Sequence, residues 1–223
     1  MIKAFIFDLD GTLIDSEKDL MLSANVCMFQ FGFPSHTEEK IKSFIGNGAM
    51  KLLERCLPEE VKNSLNSDEP LVDMKEVYDV FLRHYNANCY AHTFTHSGVL
   101  DFLQKNKNRP MAVLTNKPLA PTMTILRHLA MDHYFQIVVG GDSFATRKPD
   151  PEGLNHILRE LGVSADEALM IGDGVPDIQA AQAAGVPVVA MLDGIGDTET
   201  LKALKADYEC LDFTEIEALN LVD

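Results

Sequence analysis

Ala4-Phe5-Ile6-Phe7-Asp8-Leu9-Asp10-Gly11-Thr12-Leu13 runs from an unbroken apolar tetrad into two carboxylates two residues apart. A short apolar run of this kind predicts a buried strand over residues 3 to 8, with Asp8 at its carboxyl end, the edge where open parallel α/β sheets place their ligands. Gly11 then lets the chain turn sharply outward. Two anions this close repel, so they need a cation or a shared proton, and Mg²⁺ is one such cation. The stretch can also be read as a strand followed by an ordinary Asp/Gly turn. A calcium loop of the EF-hand type is excluded, because its Gly stands sixth and a Glu twelfth, whereas here Gly11 is fourth and Asp19 twelfth.

The 223 residues, 46% of them apolar, suffice for one well-buried core and a smaller second lobe. A formal charge of −15 argues against nucleic-acid or anionic membrane partners. It also means that any anionic substrate must be met by a metal and a few placed cations. Cys27, Cys56, Cys89 and Cys210 form no Cys-x-x-Cys pair and read as reduced, structural residues. The amino terminus lacks a basic region and its apolar stretch is cut by Asp8, so neither signal peptide nor membrane span is predicted, and a cytoplasmic location is expected.

After the first strand the pattern is helical for roughly eighty residues. Ser16 with Asp19 resembles a capping box, and Leu20, Ala24, Cys27, Met28 and Phe31 follow as an apolar stripe ended by Gly32. Further helices are predicted near 37–45, 49–57, 58–65 and 71–87. From about residue 97, β-rich runs at Met111–Leu114, Gln136–Val139, Ala168–Ile171 and Pro187–Met191 alternate with helices, one of which carries Leu154, Ile157, Leu158 and Leu161 on one face before Gly162. This alternation predicts an α/β fold with a doubly wound, Rossmann-like parallel sheet interrupted by a helical insertion. The expected division is a catalytic core of residues 1–15 and 93–223 and a helical domain of residues 16–92.

Polar residues follow the β-rich runs in a pattern suited to phosphate chemistry. Thr115-Asn116-Lys117 offers a hydroxyl and amides for phosphoryl oxygens, Arg147-Lys148-Pro149-Asp150-Pro151 offers cations before a helix, and Gly172-Asp173-Gly174-Val175-Pro176-Asp177 offers two more carboxylates.

With these residues in order, the chain resembles the haloacid dehalogenase-like hydrolase superfamily. Asp8-Leu9-Asp10-Gly11-Thr12 matches the first of its four motifs, Thr115 the second, Lys148 the third, and Gly172-Asp173 with Asp177 the fourth. The block from 16 to about 92 looks like the family's inserted cap domain. The resemblance implies a Mg²⁺-dependent phosphatase acting through an aspartyl-phosphate. Asp8 is then the nucleophile, and Asp10 the acid/base, kept protonated when needed by neighbouring anions. Mg²⁺ is held by Asp8, the backbone carbonyl of Asp10 and Asp173; Lys148 is a fixed cation; Thr115 and Asn116 are substrate contacts. Asp177 is either a ligand through water or the cap of a helix beginning at Ile178. Relatives commonly carry Ser and Asn where Gly174 and Pro176 stand, which puts that loop's hydrogen bonding in question.

Lys117 reads equally as a solvated lysine or a substrate contact. His92 and His96, four apart, lack the third ligand and the Glu of a zincin and are read as structural. Ile45-Gly46-Asn47-Gly48-Ala49 is either a plain turn or, through Gly46, Asn47 and Gly48, an anion site for a substrate carboxylate. That segment, Thr115-Asn116-Lys117-Pro118 and Ala206-Asp207-Tyr208 resemble phosphoglycolate phosphatases, which makes 2-phosphoglycolate the expected phosphate monoester. A phosphomutase, a pyrophosphatase or a sugar or nucleotide phosphatase of the same fold is the alternative. A dehalogenase needs neither Asp10 nor Asp173, and a silent interaction module would not keep every catalytic position. A monomer or homodimer is expected.

Overall fold

The protein is described here from a computed structural model that covers residues 1–46, 48–219 and 221. The chain begins with β1 (Ala4–Phe7) and β2 (Ile14–Asp15). Five helices follow: α1 (Glu17–Gln30), α2 (Glu38–Lys42), α3 (Ala49–Cys56), α4 (Glu59–Ser64) and α5 (Met74–Asn88). It then continues through β3 (Phe94–Thr95), α6 (Val99–Lys105), β4 (Met111–Leu114), α7 (Leu119–His128), β5 (Ile137–Val139) and α8 (Glu152–Leu161). The remainder is β6 (Ala168–Gly172), α9 (Val175–Ala184), β7 (Val188–Met191), α10 (Thr198–Ala203), β8 (Tyr208–Cys210) and α11 (Phe213–Ala218). It divides into two compact units, Met1–Asp15 with Phe94–Asp223, and Ser16–Thr93.

The first unit is built on a six-stranded sheet in the order β5-β4-β1-β6-β7-β8, every neighbouring pair parallel. All four residues of β1 are buried, as a central strand covered on both faces requires. Ala4 and Ile6 pack on one face with Leu154, Ile157 and Leu158 of α8 and Ile178 and Ala181 of α9. Phe5 and Phe7 point the other way into an aromatic cluster with Phe102, Phe135 and Phe213. At ~1.5–3 kcal/mol for each large apolar side chain fully buried, this strand alone holds much of the unit together. The chain winds outward from β1 through β4 to β5 and then returns to β6 on the opposite side. This reversal beside β1 marks the switch point where such sheets open a crevice at their carboxyl ends.

The doubly wound sheet is therefore as expected, with two additions. The outer strand β8 and the small antiparallel pair β2–β3 were not anticipated, because two or three residues are too few to show a period.

Among its described residues the regular structure of the second unit is α-helical, and here the sequence reading needs correction. Ser16 makes no side-chain cap, and Asp19 does not reach back to it. Instead the buried Asp19 carboxylate accepts the backbone N–H groups of His92 and Thr93 and the Thr93 hydroxyl, at 2.9–3.1 Å. Donors brought from the far end of the unit replace the local cap. The helix expected at 37–45 is only Glu38–Lys42, because the chain tightens to i→i−3 bonds at Phe44 and Ile45. The one expected at 71–87 starts at Met74, capped by Asp73.

All four cysteines are buried and unbridged. Burial pushes the Cys27 and Cys210 thiols up to about 11 and Cys56 to about 12, so they pack as small apolar groups.

Candidate active site

Parallel strands in register deliver their following residues to one edge. Phe7 lies opposite Val113 and Ile171, so Asp8, Thr115 and Asp173 emerge together as β1, β4 and β6 end. Asp8 is fixed there by its N–H bond to the Ile171 carbonyl at 2.9 Å. The turn after it is tight, with the N–H groups of Thr12, Leu13 and Ile14 all directed to the Leu9 carbonyl. Gly11 takes a left-handed φ of +86°, and a Cβ there would lie 2.1 Å from Asp173 Oδ2, so only glycine serves both needs.

Carboxylate oxygens of Asp8, Asp173 and Asp177 lie within 4.8 Å of one another. Lys148, only 4% exposed, reaches them from the loop before α8. Its Nζ is 2.7 Å from Asp8 Oδ1, donates to Asp177 Oδ1 at 2.5 Å and to the Leu114 carbonyl at 2.7 Å. Burial disfavours the Lys148 charge, but Asp177 and Asp8 outweigh it and raise its pKa above the usual lysine value. Burial, then the charge of Asp177, pushes the Asp8 carboxyl up to about 6 against the pull of Lys148. Burial, then Asp8, pushes Asp173 up to about 7, although Thr12 Oγ1 donates to its Oδ1 and the Ile195 N–H to its Oδ2, each at 2.8 Å. Asp177 is raised as well, by burial above all.

Two buried carboxylates, Asp173 and Asp177, and the partly buried Asp8 thus face one ammonium, an excess of negative charge that an all-oxygen site for a divalent cation would relieve. The donor set fits Mg²⁺. Asp8 and Asp173 are the ligands expected from the sequence; Asp177 joins the cluster, with both its oxygens engaged by protein donors.

Asp177 does close a helix start, as the cap reading expected, but from the helix's third position and not as the residue before Ile178. The helix starts at Val175, and from its first turn Asp177 accepts the Gly174 N–H at 2.8 Å. The loop therefore keeps a hydrogen bond with Gly174 in place, and Pro176 sits in the first turn, where no N–H is needed. Gly172 makes the fit possible, since a Cβ there would fall 2.5 Å from Asp177 Cβ.

Thr115 is buried and its hydroxyl oxygen accepts the Lys117 N–H at 3.2 Å, leaving its own hydrogen to donate. Asn116 spends its amide on the Lys148 carbonyl at 3.0 Å, tying the second motif to the third. The Asp10 carboxylate stands apart from the cluster. Its nearest charged partner is a cation, Lys117, whose Nζ lies 2.6 and 2.8 Å from its two oxygens, while the expected anionic neighbour is Asp8, whose carboxyl the charge of Asp10 helps to raise. Lys117 is 6% exposed, which removes the solvated-lysine reading.

In the helical unit, Gly46 and Gly48 both take left-handed φ values around the start of α3, while Asn47 lies outside the described residues. Lys51 pairs with Glu54, and Arg55 donates to the Phe44 carbonyl.

Sequence reasoning missed Thr12, the Ile195 amide and the glycines that flank it. A Cβ at Gly194 would lie 2.3 Å from Asp173 Cβ, and one at Gly196 only 1.9 Å from the Asp173 carbonyl oxygen. The signal was present as two glycines closely following a strand.

A family model described as haloacid dehalogenase-like hydrolase matches residues 5–191, and the chain belongs to that family. Within it the chain is similar to phosphoglycolate phosphatases. That of Rhodobacter capsulatus is 37% identical over 221 residues, 98% of this chain and 97% of the other; that of Aliivibrio fischeri is 34% identical over 222 residues, 98% and 96%. The crystal structure of a predicted phosphoglycolate phosphatase from Haemophilus somnus superposes with a TM-score of 0.88 at 30% identity, covering 98% of this chain and 97% of that one. Among the described residues no helix is long and apolar enough to cross a membrane.

Proposed function

We propose that the chain hydrolyses a small-molecule phosphate monoester, 2-phosphoglycolate, through an aspartyl-phosphate on Asp8. The observation that carries this is the set of three clustered carboxylates, two of them buried, around the buried Lys148 at the sheet's carboxyl edge. The names of relatives at 34–37% identity support the substrate.

Asp8 attacks phosphorus in line with the leaving oxygen. A bound Mg²⁺, held by Asp8, the Asp10 backbone carbonyl and Asp173, would offset the repulsion between the two anions. Lys148 holds Asp8 and adds a fixed positive charge beside the phosphoryl group. The Thr115 hydroxyl and the Asn116 backbone N–H bind the phosphoryl oxygens; the Thr115 N–H is held by the Val139 carbonyl. Asp10 gives a proton to the leaving oxygen and takes one from the water that opens the aspartyl-phosphate. Gly46, Asn47 and Gly48 are assigned to the substrate's carboxylate, and residues 16–92 to the role of a cap.

The test is phosphate release with and without Mg²⁺ over 2-phosphoglycolate, sugar phosphates, nucleotides and pyrophosphate. Mg²⁺-dependent release with highest kcat/KM on 2-phosphoglycolate is expected. Equal rates on all would remove the substrate assignment; release unaffected by Asp8→Asn would remove the mechanism.

A further inference from the structure

One buried cation of this site has no part in the mechanism above. Lys117 pairs with both oxygens of the Asp10 carboxylate, and the loop around it is locked at every step. Its N–H goes to Thr115 Oγ1 and its carbonyl accepts the Gly141 N–H at 2.8 Å. Just beyond, the Leu119 N–H donates to Asp142 Oδ1 at 2.7 Å. The opposing residues must be glycines for this to close: a Cβ at Gly140 would lie 2.5 Å from the Leu119 nitrogen, and one at Gly141 2.2 Å from the Asn116 carbonyl oxygen. Asp10 is held from its own side by the bridge to Ile14.

We propose that Lys117 is a positioning residue for Asp10, gripping its carboxyl by both oxygens so that it is presented to the leaving-group oxygen in one orientation. Burying an ammonium is costly, and an apolar contact would close the loop as well, so the pair is not explained by packing alone. A carboxyl group that must meet a leaving oxygen within about 2.6–3.2 Å gains from being held before the substrate arrives. The step served is the first: the Asp8 oxygen–phosphorus bond forms, the bond from phosphorus to the leaving oxygen breaks, and the proton passes from Asp10 to that oxygen; because Lys117 favours the ionised carboxyl, Asp10 takes up that proton from water only as the anionic substrate arrives beside it. The inference rests on the assignment of Asp10 given above.

The experiment measures kcat and KM at saturating Mg²⁺ on esters ranging from alkyl phosphates, whose leaving groups need a proton, to p-nitrophenyl phosphate, whose leaving group does not. Asp10→Asn, Lys117→Met, Lys117→Arg and the double variant Asp10→Asn with Lys117→Met are compared with the unchanged chain. A positioning role predicts that Lys117→Met lowers kcat/KM on alkyl phosphates by roughly 10²-fold, within the range of acid/base catalysis, and on p-nitrophenyl phosphate by only a few-fold. Lys117→Arg recovers part of the loss, and the double variant loses no more than Asp10→Asn alone. Should Lys117→Met not fold, Lys117→Gln carries the same comparison. Equal loss across leaving groups, or a rise in KM alone, overturns the proposal and makes Lys117 a framework or substrate-binding residue. If Asp10→Asn itself showed no leaving-group dependence, the assignment of Asp10 would fall first, and the two failures are thereby told apart.

Discussion

Each of the two units buries carboxylates, and they do so in opposite company. In the helical unit Asp19, 2% exposed, is surrounded by donors: two backbone N–H groups and a hydroxyl converge on it. In the sheet unit Asp8, Asp173 and Asp177 are surrounded by one another, with Lys148 between two of them. A carboxylate buried among donors is satisfied and acts as a clasp. Carboxylates buried together remain uncompensated, and that tension is what a metal and a phosphoryl group can relieve. The Asp10–Lys117 pair lies between these cases, matched one to one.

The sharpest break of this comparison is to remove a charge from the crowded side. Asp8→Asn is expected to lower kcat by on the order of 10⁵-fold or more, since an amide cannot take up the phosphoryl group. The fold should survive, because the substitution relieves repulsion. Measuring phosphate release alongside Tm checks both halves: lost turnover with an unchanged or raised Tm is the expected pair of results.

Lys148→Ala goes the other way and leaves three carboxylates without their cation. Turnover should fall by on the order of 10³-fold, comparable to the loss of a fixed group that stabilises developing charge. Here Tm should fall too, and more at neutral pH than at pH 5, because the carboxylates then left facing one another are ionised. A variant with normal stability at pH 7 would mean that the cluster is better solvated than its burial implies.

Much of this was legible beforehand because strand ends are read easily. The apolar tetrads before Asp8 and Thr115, and the run before Asp173, announce parallel strands, and parallel strands must bring those residues together. Lys148 could be assigned only through the family resemblance, since nothing in Arg147-Lys148-Pro149 says which cation turns inward. Lys117 was illegible for the same reason: its partner stands 107 positions away. Asp19 misled for a related one. The spacing Ser16 to Asp19 suits a local cap, yet the donors of residues 92 and 93 compete for the same oxygens. The glycines at 140, 141, 194 and 196 matter through what they face, and single-chain periodicity carries no such information.

Metal and pH sharpen the comparison next. The Asp8 and Asp173 pKa values are raised in the fold, to about 6 and about 7 from an ordinary value near 3.8. Their contribution to stability is therefore fully present below pH ~4 and is lost as pH rises through 6 to 7. With EDTA present, this loss should appear as a decline in Tm over that window. Added Mg²⁺ competes with protons for the same oxygens, so it should raise Tm by several degrees at pH 8 and far less at pH 5. In Asp173→Asn the difference between the two pH values should shrink. An equal Mg²⁺ effect at both pH values would place the ion elsewhere.

The smallest effect on chemistry belongs to Asp19. Asp19→Ala removes both acceptor oxygens, so the His92 and Thr93 N–H groups lose their partner. The expected cost is about 1–3 kcal/mol, the usual penalty for an unsatisfied buried donor, which in a chain of this length lowers Tm by roughly 2–4 °C per kcal/mol. Amide exchange at His92 and Thr93 should speed up with it. Phosphorylation of Asp8 should not slow on p-nitrophenyl phosphate well below the transition, because Asp19 supplies no charge that the reaction uses. If that rate fell as it does for Lys148→Ala, the distinction between a clasp and a site would fail, and a carboxylate satisfied by donors would have to be counted among the groups that drive the chemistry.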